Sequence, residues 1–194
     1  MYALIVKLVY YFCTMKICIY HEKGGAGKST LAVALAFELS LPIIDLDARK
    51  VSSKYAAAAA RDQASLKAGY IVDYPAGMDL GLASHMREAD LVIIPSHAST
   101  FDVEGIGQTM QFVKANIGAS TKIAFFGTAL SNDSSADFLR DGLKKWGFPL
   151  LGYFKHRVVY ERSRLQAKPA AALNKSAAAE VQAAAAAIKQ YIGA

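Results

Sequence analysis

The run Lys23-Gly24-Gly25-Ala26-Gly27-Lys28-Ser29-Thr30 restricts what this chain can fold into more than any other stretch. It lies between the apolar segment Lys16-Ile17-Cys18-Ile19-Tyr20 and the helical pattern Leu31–Leu39, which predicts a strand, a tight glycine turn and a helix start. Glycines let the backbone curl with its N–H groups facing inward, a nest for phosphate oxygens at the positive end of a helix. Lys28 is then in reach of the outer phosphates, and the Ser29 hydroxyl is placed for Mg²⁺. A general phosphate loop carries a first glycine five residues before Gly27, but Glu22 stands there, and a second lysine, Lys23, precedes the glycine pair. A plain Gly-rich turn would explain the glycines but not Gly-Lys-Ser in register with these flanks. The run implies a nucleoside triphosphate site, with Gly24, Gly25, Ala26, Gly27, Lys28, Ser29 and Thr30 as its binding residues.

Apolar runs of strand length alternate with helical patterns along the rest of the chain. Strands are predicted at 16–20, 42–46, 70–73, 91–95, 122–127 and 150–154, with interiors nearly all apolar, as strands buried on both faces must be. Helices are predicted at 29–39, 51–66, 79–89, 102–117, 134–146, 158–167 and 175–191. Asp102 and the cluster Asn132-Asp133-Ser134 stand where helices are capped, and Gly118 and Gly147 where they stop. The alternation implies an α/β fold: a doubly wound, mainly parallel sheet flanked by helices, with its ligand loops at the C-terminal edge of the strands. Gly27, Asp47, Asp73 and Pro95 all follow strands and gather at that edge. Val181, Ile188 and Ile192 give the last helix one narrow core-facing stripe, and Met78, Met86 and Met110 read as core filler. The four histidines are scattered and read as surface or turn residues.

The loop is a deviant Walker A motif, and with four later stretches it resembles the ParA/MinD family of P-loop ATPases, most closely the small ParA-type plasmid partition ATPases. Ile43-Ile44-Asp45-Leu46-Asp47 resembles that family's second acidic motif, and Tyr70-Ile71-Val72-Asp73-Tyr74-Pro75-Ala76-Gly77 its Walker B. Ala89–Pro95 with Phe101-Asp102 is similar to the next strand and helix start, and Lys155–Tyr160 to an Arg-x-x-Tyr segment near the C-terminal end. The likeness runs in order from about Met15 to Lys168. It implies ATP and Mg²⁺ as cofactors, with Ser29, Asp45 and Asp73 toward the metal. It gives Lys28 to the β- and γ-phosphates, Asp47 to the attacking water, and Lys23 to the partner subunit's ATP in a homodimer formed on ATP. The family usually continues Asp-Pro-Gln where this chain has Asp47-Ala48-Arg49, which puts the local turn and the hydrolysis rate in question. Only 22 residues lie between Asp47 and Tyr70, where family members commonly carry a longer segment that helps contact the activating partner.

At 194 residues the length suits one domain, with two as the alternative, and the apolar fraction is ample for a core. The opening Met1–Thr14 is apolar and aromatic but lacks a basic start and a small-residue cleavage site. We read it as an N-terminal extension or mis-assigned start, with the ATPase domain over 15–194; an extra edge strand is the alternative. Two cysteines, Cys13 and Cys18, build no disulfide framework and fit no zinc spacing, which suits a cytoplasmic protein. No stretch reaches the ~20 apolar residues of a membrane span.

Charge is uneven. Residues 142–194 hold nine basic side chains against Glu161 and Glu180, a net of +7 where the whole chain is +6. A basic third on a near-neutral remainder is the footprint of a polyanion site, and a solvated face is the alternative for any single lysine. The resemblance implies non-specific, nucleoid-associated DNA binding, for which Arg157, Arg162, Arg164 and Lys168 are the candidates. It also implies a ParB-like adaptor that stimulates hydrolysis, and no membrane partner. Two other readings stay open: a nucleotide-gated accessory module for DNA transfer with little turnover, and a MinD-like positioning ATPase, which the last helix disfavours for want of a basic face and a bulky apolar side.

Overall fold

The computed structural model describes residues 15–47, 69–77, 81, 83–166 and 168–193. The apolar runs form one six-stranded parallel sheet, with strands β1 (Met15–Ile19), β2 (Ile43–Asp45), β3 (Gly69–Asp73), β4 (Leu91–Ser96), β5 (Lys122–Leu130) and β6 (Leu150–Lys155) in the order β2-β3-β1-β4-β5-β6. The helices are α1 (Lys28–Leu39), α2 (Ser84–Arg87), α3 (Thr100–Asn116), α4 (Asp133–Leu143), α5 (Val158–Gln166), α6 (Ala170–Leu173) and α7 (Lys175–Ile192). The doubly wound parallel sheet expected from the alternation is the fold observed. β1 lies inside the sheet between β3 and β4, so the loop leaving it opens beside their C-terminal ends.

Successive side chains of a strand face opposite sides, and each side has its own core. Ile17 and Ile19 of β1 pack with Leu31 and Leu35 of α1 and with Val181, Ala184 and Ile188 of α7. Cys18 and Tyr20 point the other way, among Met86, Ile106, Met110, Val113 and Leu139. The core stripe expected on α7 is therefore present, widened by Ala177 and Ala184, and Ile192 packs at its edge. Met86 and Met110 are core residues as expected.

Three local expectations change. Helix α3 starts at Thr100, so Asp102 lies in its first turn rather than at its cap. The short helix α6 was not foreseen, because its four residues, Ala170–Leu173, stand between Pro169 and Asn174 and are too few to show a helical period. Asn132 does cap α4, its side chain accepting from Ser135 N at 2.9 Å, and Gly147 ends the 3-10 turn that follows α4 with φ 75°. The helix expected at 79–89 is shorter: its described residues form only the four-residue α2, Ser84–Arg87, and positions 79, 80 and 82 lie outside the described residues, as do the helix expected at 51–66, the segment Met1–Thr14 and Met78.

Gly69 opens β3 with φ 128°, and a Cβ there would stand 2.4 Å from Met15 O. Neither the backbone conformation nor the β1–β3 pairing has room for a side chain. Gly69→Ala is expected to destabilise the protein by about 2–4 kcal/mol through strain and a displaced strand. Urea denaturation reads this as a lowered midpoint; an unchanged midpoint would show that the strand pair relaxes freely.

Candidate functional site

The glycine turn needs its glycines for two separate reasons. Gly25 and Gly27 have φ 81° and 87°, the left-handed region that side-chain-bearing residues avoid. A Cβ on Gly27 would also stand 2.9 Å from the Cβ and Cγ2 of Thr128. Helix α1 starts directly after this turn. Among the described residues no side chain caps it and its first turn holds no acidic residue. A helix start of this kind, with N–H groups unmet by side chains and the positive end of the dipole, suits an anion.

The loop's carbonyls are held by its surroundings. Lys28 Nζ donates to His21 O at 2.9 Å and to Lys23 O at 3.0 Å. Gly77 N, beyond β3, donates to Glu22 O at 2.8 Å. Thr128 Oγ1 donates to Ala26 O at 2.8 Å, and His97 Nε2 lies 3.0 Å from Gly25 O. His21, expected at a surface or turn, is a buried residue whose Nδ1 accepts from Lys23 N at 3.0 Å. Lys28 is itself buried, and burial pushes its pKa down, while the charges of Asp73 and Asp47 oppose the shift.

The acidic residues meet where β1, β2 and β3 end together. Asp73 is fully buried, in register with Ile19 on one side and Asp45 on the other. Asp45 is buried as well, and its Oδ1 accepts from Asp47 N at 3.0 Å, closing an Asx turn. Strand β2 stops at Asp45, so Asp47 sits in that turn and the strand alternation expected to align Asp45 with Asp47 does not operate there. The turn brings Asp47 close enough to act on the Lys28 charge all the same. Among the described residues, no three His, Cys, Asp or Glu side chains form a metal cluster.

Beside the loop opens a cavity of about 210 Å³, bounded by Gly25, Gly27, Thr30, His97, Phe154 and Tyr160. Glu180 of α7 fixes its outer wall. One oxygen accepts from Arg157 Nε at 2.9 Å and Nη2 at 2.7 Å. The other accepts from Tyr160 Oη at 2.8 Å and Lys155 N at 3.2 Å. Tyr160 stacks on Phe154 with ring centroids 4.8 Å apart. Arg157, a candidate for polyanion contact, thus spends its charge on Glu180.

Arg162 and Lys168 are exposed, and Arg162 lines a surface groove of about 510 Å³ with His156, Arg157, Gln166 and Asn174. Arg164 lies on α5 with Arg162. Lys23 is exposed on the loop, and its backbone carbonyl is one of the two that accept from the Lys28 ammonium. Sequence reasoning missed His97, Thr128, Glu180 and the burial of His21. The only signal for His97 and Thr128 was that β4 and β5 end at the ligand edge; none pointed to Glu180.

No protein-family model matches the sequence, and no curated protein sequence matches it. Solved structures match its fold. A plasmid partition protein from Borrelia burgdorferi B31 bound to AMPPNP is similar over 92% of this chain and 99% of its own, with TM-score 0.73 and 20% identity. The MinD cell division protein of Aquifex aeolicus is similar over 93% of this chain and 98% of its own, with TM-score 0.72 and 12% identity. A variant of McdA from Cyanothece, solved as an ATP complex, gives TM-score 0.67 at 14% identity over 93% of this chain and 96% of its own. The chain has the fold shared by these ParA/MinD-type proteins.

Proposed function

We propose that this chain is a Mg²⁺-dependent ATPase of the ParA type, which forms a homodimer on ATP, binds DNA without sequence preference and is reset by hydrolysis that a ParB-like adaptor stimulates. The observation that carries the reading is the loop: its carbonyls are tied back on both sides at the uncapped start of α1, with the Lys28 ammonium inside it. Such a loop suits phosphate oxygens. The neighbouring folds solved with AMPPNP or ATP support a nucleotide as the phosphate carrier.

Buried carboxylates beside this loop favour a cation as well. Mg²⁺ is usually held by one or two carboxylates, nucleotide phosphates and waters rather than by an all-protein cage, which suits Ser29 with Asp73 and Asp45. Bound there, the ion would neutralise charge on the β- and γ-phosphate oxygens. Asp47 is assigned to orienting the attacking water, with its turn held by Asp45. Lys23, exposed on the loop, is assigned to the nucleotide of the partner subunit.

Arg162, Arg164 and Lys168 are assigned to DNA phosphates, with a smaller share for Arg157, whose charge Glu180 already meets. Cytoplasmic, nucleoid-associated localisation follows from that assignment. No helix among the described residues is long and apolar enough to cross a membrane. The experiment is a polarisation titration of duplex DNA at several salt concentrations, with ATP and with ADP. Binding is expected with ATP and nearly absent with ADP. Each phosphate contact contributes a salt slope of about −0.9, so removing Arg162 and Arg164 together from both subunits is expected to shallow it by roughly two to four. Binding that ignores both nucleotide and salt would exclude the DNA role.

A further inference from the structure

Two side chains far away in the sequence brace the glycine loop from outside. Thr128 of β5, only 4% exposed, donates to Ala26 O, and His97, just beyond β4, meets Gly25 O. A carbonyl can only accept, so the His97 Nε2 in that contact carries the proton. The two acceptors are consecutive. Every described peptide bond is trans, and in a trans peptide the C=O and the following N–H point in opposite directions. Holding Gly25 O toward His97 therefore turns Ala26 N–H the other way, and holding Ala26 O toward Thr128 does the same for Gly27 N–H.

A brace is needed at this place. Both residues flanking Ala26 are glycines in the left-handed region, the backbone that rotates most cheaply. Thr128 also closes the space a Gly27 side chain would use. Its neighbour Ala129 has φ 53°, a strained conformation for alanine, at the point where β5 meets the loop.

We infer that Thr128 and His97 are positioning residues that lock two consecutive peptide planes of the loop, so that the Ala26 and Gly27 amides are already aimed when phosphate arrives. The inference rests on the nucleotide reading above. Rigidity set before binding lowers the ordering cost at binding.

The test compares isosteres in the full chain. Thr128→Val keeps the shape and removes the donor, and is expected to weaken fluorescent ADP binding about tenfold, as loss of one net hydrogen bond would. Thr128→Ser keeps the hydroxyl and is expected to restore the affinity. His97→Leu and His97→Gln form a parallel pair, the glutamine amide supplying the donor; that pair decides the matter if Thr128→Val does not fold. Both residues also line the 210 Å³ cavity, so displacement by inorganic pyrophosphate, which has no base, is measured in every variant. An equal loss for pyrophosphate and ADP supports the inference. A loss for ADP with pyrophosphate untouched, or equal ADP affinity in the valine and serine variants, overturns it while leaving the nucleotide reading intact. Wild-type protein that binds neither ligand removes that reading, and this inference with it.

Discussion

Lys28→Ala is expected to weaken ADP and ATP binding at least about a hundredfold, because two hydrogen bonds to charged groups are worth ~1.5–3 kcal/mol each and every ~1.4 kcal/mol is a factor of ten. Stability should change far less. The ammonium is buried and its pKa is pushed down, so its charge costs the fold something that the bonds to His21 O and Lys23 O offset. The variant should therefore keep its thermal midpoint within a few degrees while losing the ligand. Fluorescent ADP titration beside thermal denaturation separates the two effects. Affinity within threefold of wild type would show that the loop lysine does not meet phosphate.

Alkaline pH should unfold the protein steeply. Burial raises the pKa of Tyr20, Tyr74 and Tyr160, reinforced by Glu22 for Tyr20, by Cys18 for Tyr74 and by the bond to Glu180 for Tyr160. Burial also pushes the Cys18 thiol up to about 12. In each case the folded pKa lies above the unfolded one. The stability these groups contribute is complete below the unfolded value, near pH 9 for the thiol and 10 for the phenols, and is lost as pH rises toward the folded value. Lys28, shifted the other way, gains stability as pH approaches 10.5, but it is one group against four. Each buried phenol costs at most ~1.4 kcal/mol per pH unit, and the unfolded phenols are only about half ionised at pH 10, so three remove roughly 3 kcal/mol between pH 10 and 11, a large part of a typical domain's ~5–15 kcal/mol. Urea midpoints from pH 8 to 11.5 should fall beyond pH 10, less steeply in Tyr74→Phe. A flat profile would mean that these hydroxyls ionise without unfolding the core.

The same sites show how far the chain could be read without its fold. The loop from Lys23 to Thr30 is local chemistry: spacing, glycine conformations and helix start are written in consecutive residues, so the nest was legible before any contact was known. The six strands were legible too: the four inner ones are largely buried and have no polar alternation to confuse the reading, and the part-buried edge strands β2 and β6 still carry mostly apolar runs. Asp45 and Asp73 were found as strand-end carboxylates, but the Asx turn that takes Asp47 out of the strand depends on one side-chain bond and left no pattern.

Sequence by itself determined the sheet, the glycine turn with its helix start and the basic C-terminal third. Tertiary structure alone decided which charges are free to act and what holds the loop. Arg157 and Arg162 look equivalent in sequence, yet Glu180, 23 residues from Arg157, engages one and leaves the other exposed. Thr128 reaches Ala26 across 102 residues, and His97 reaches Gly25 across 72. Such contacts follow from which strands lie side by side, and strand order is set by the packing of the whole sheet against its helices rather than by the residues that end up touching.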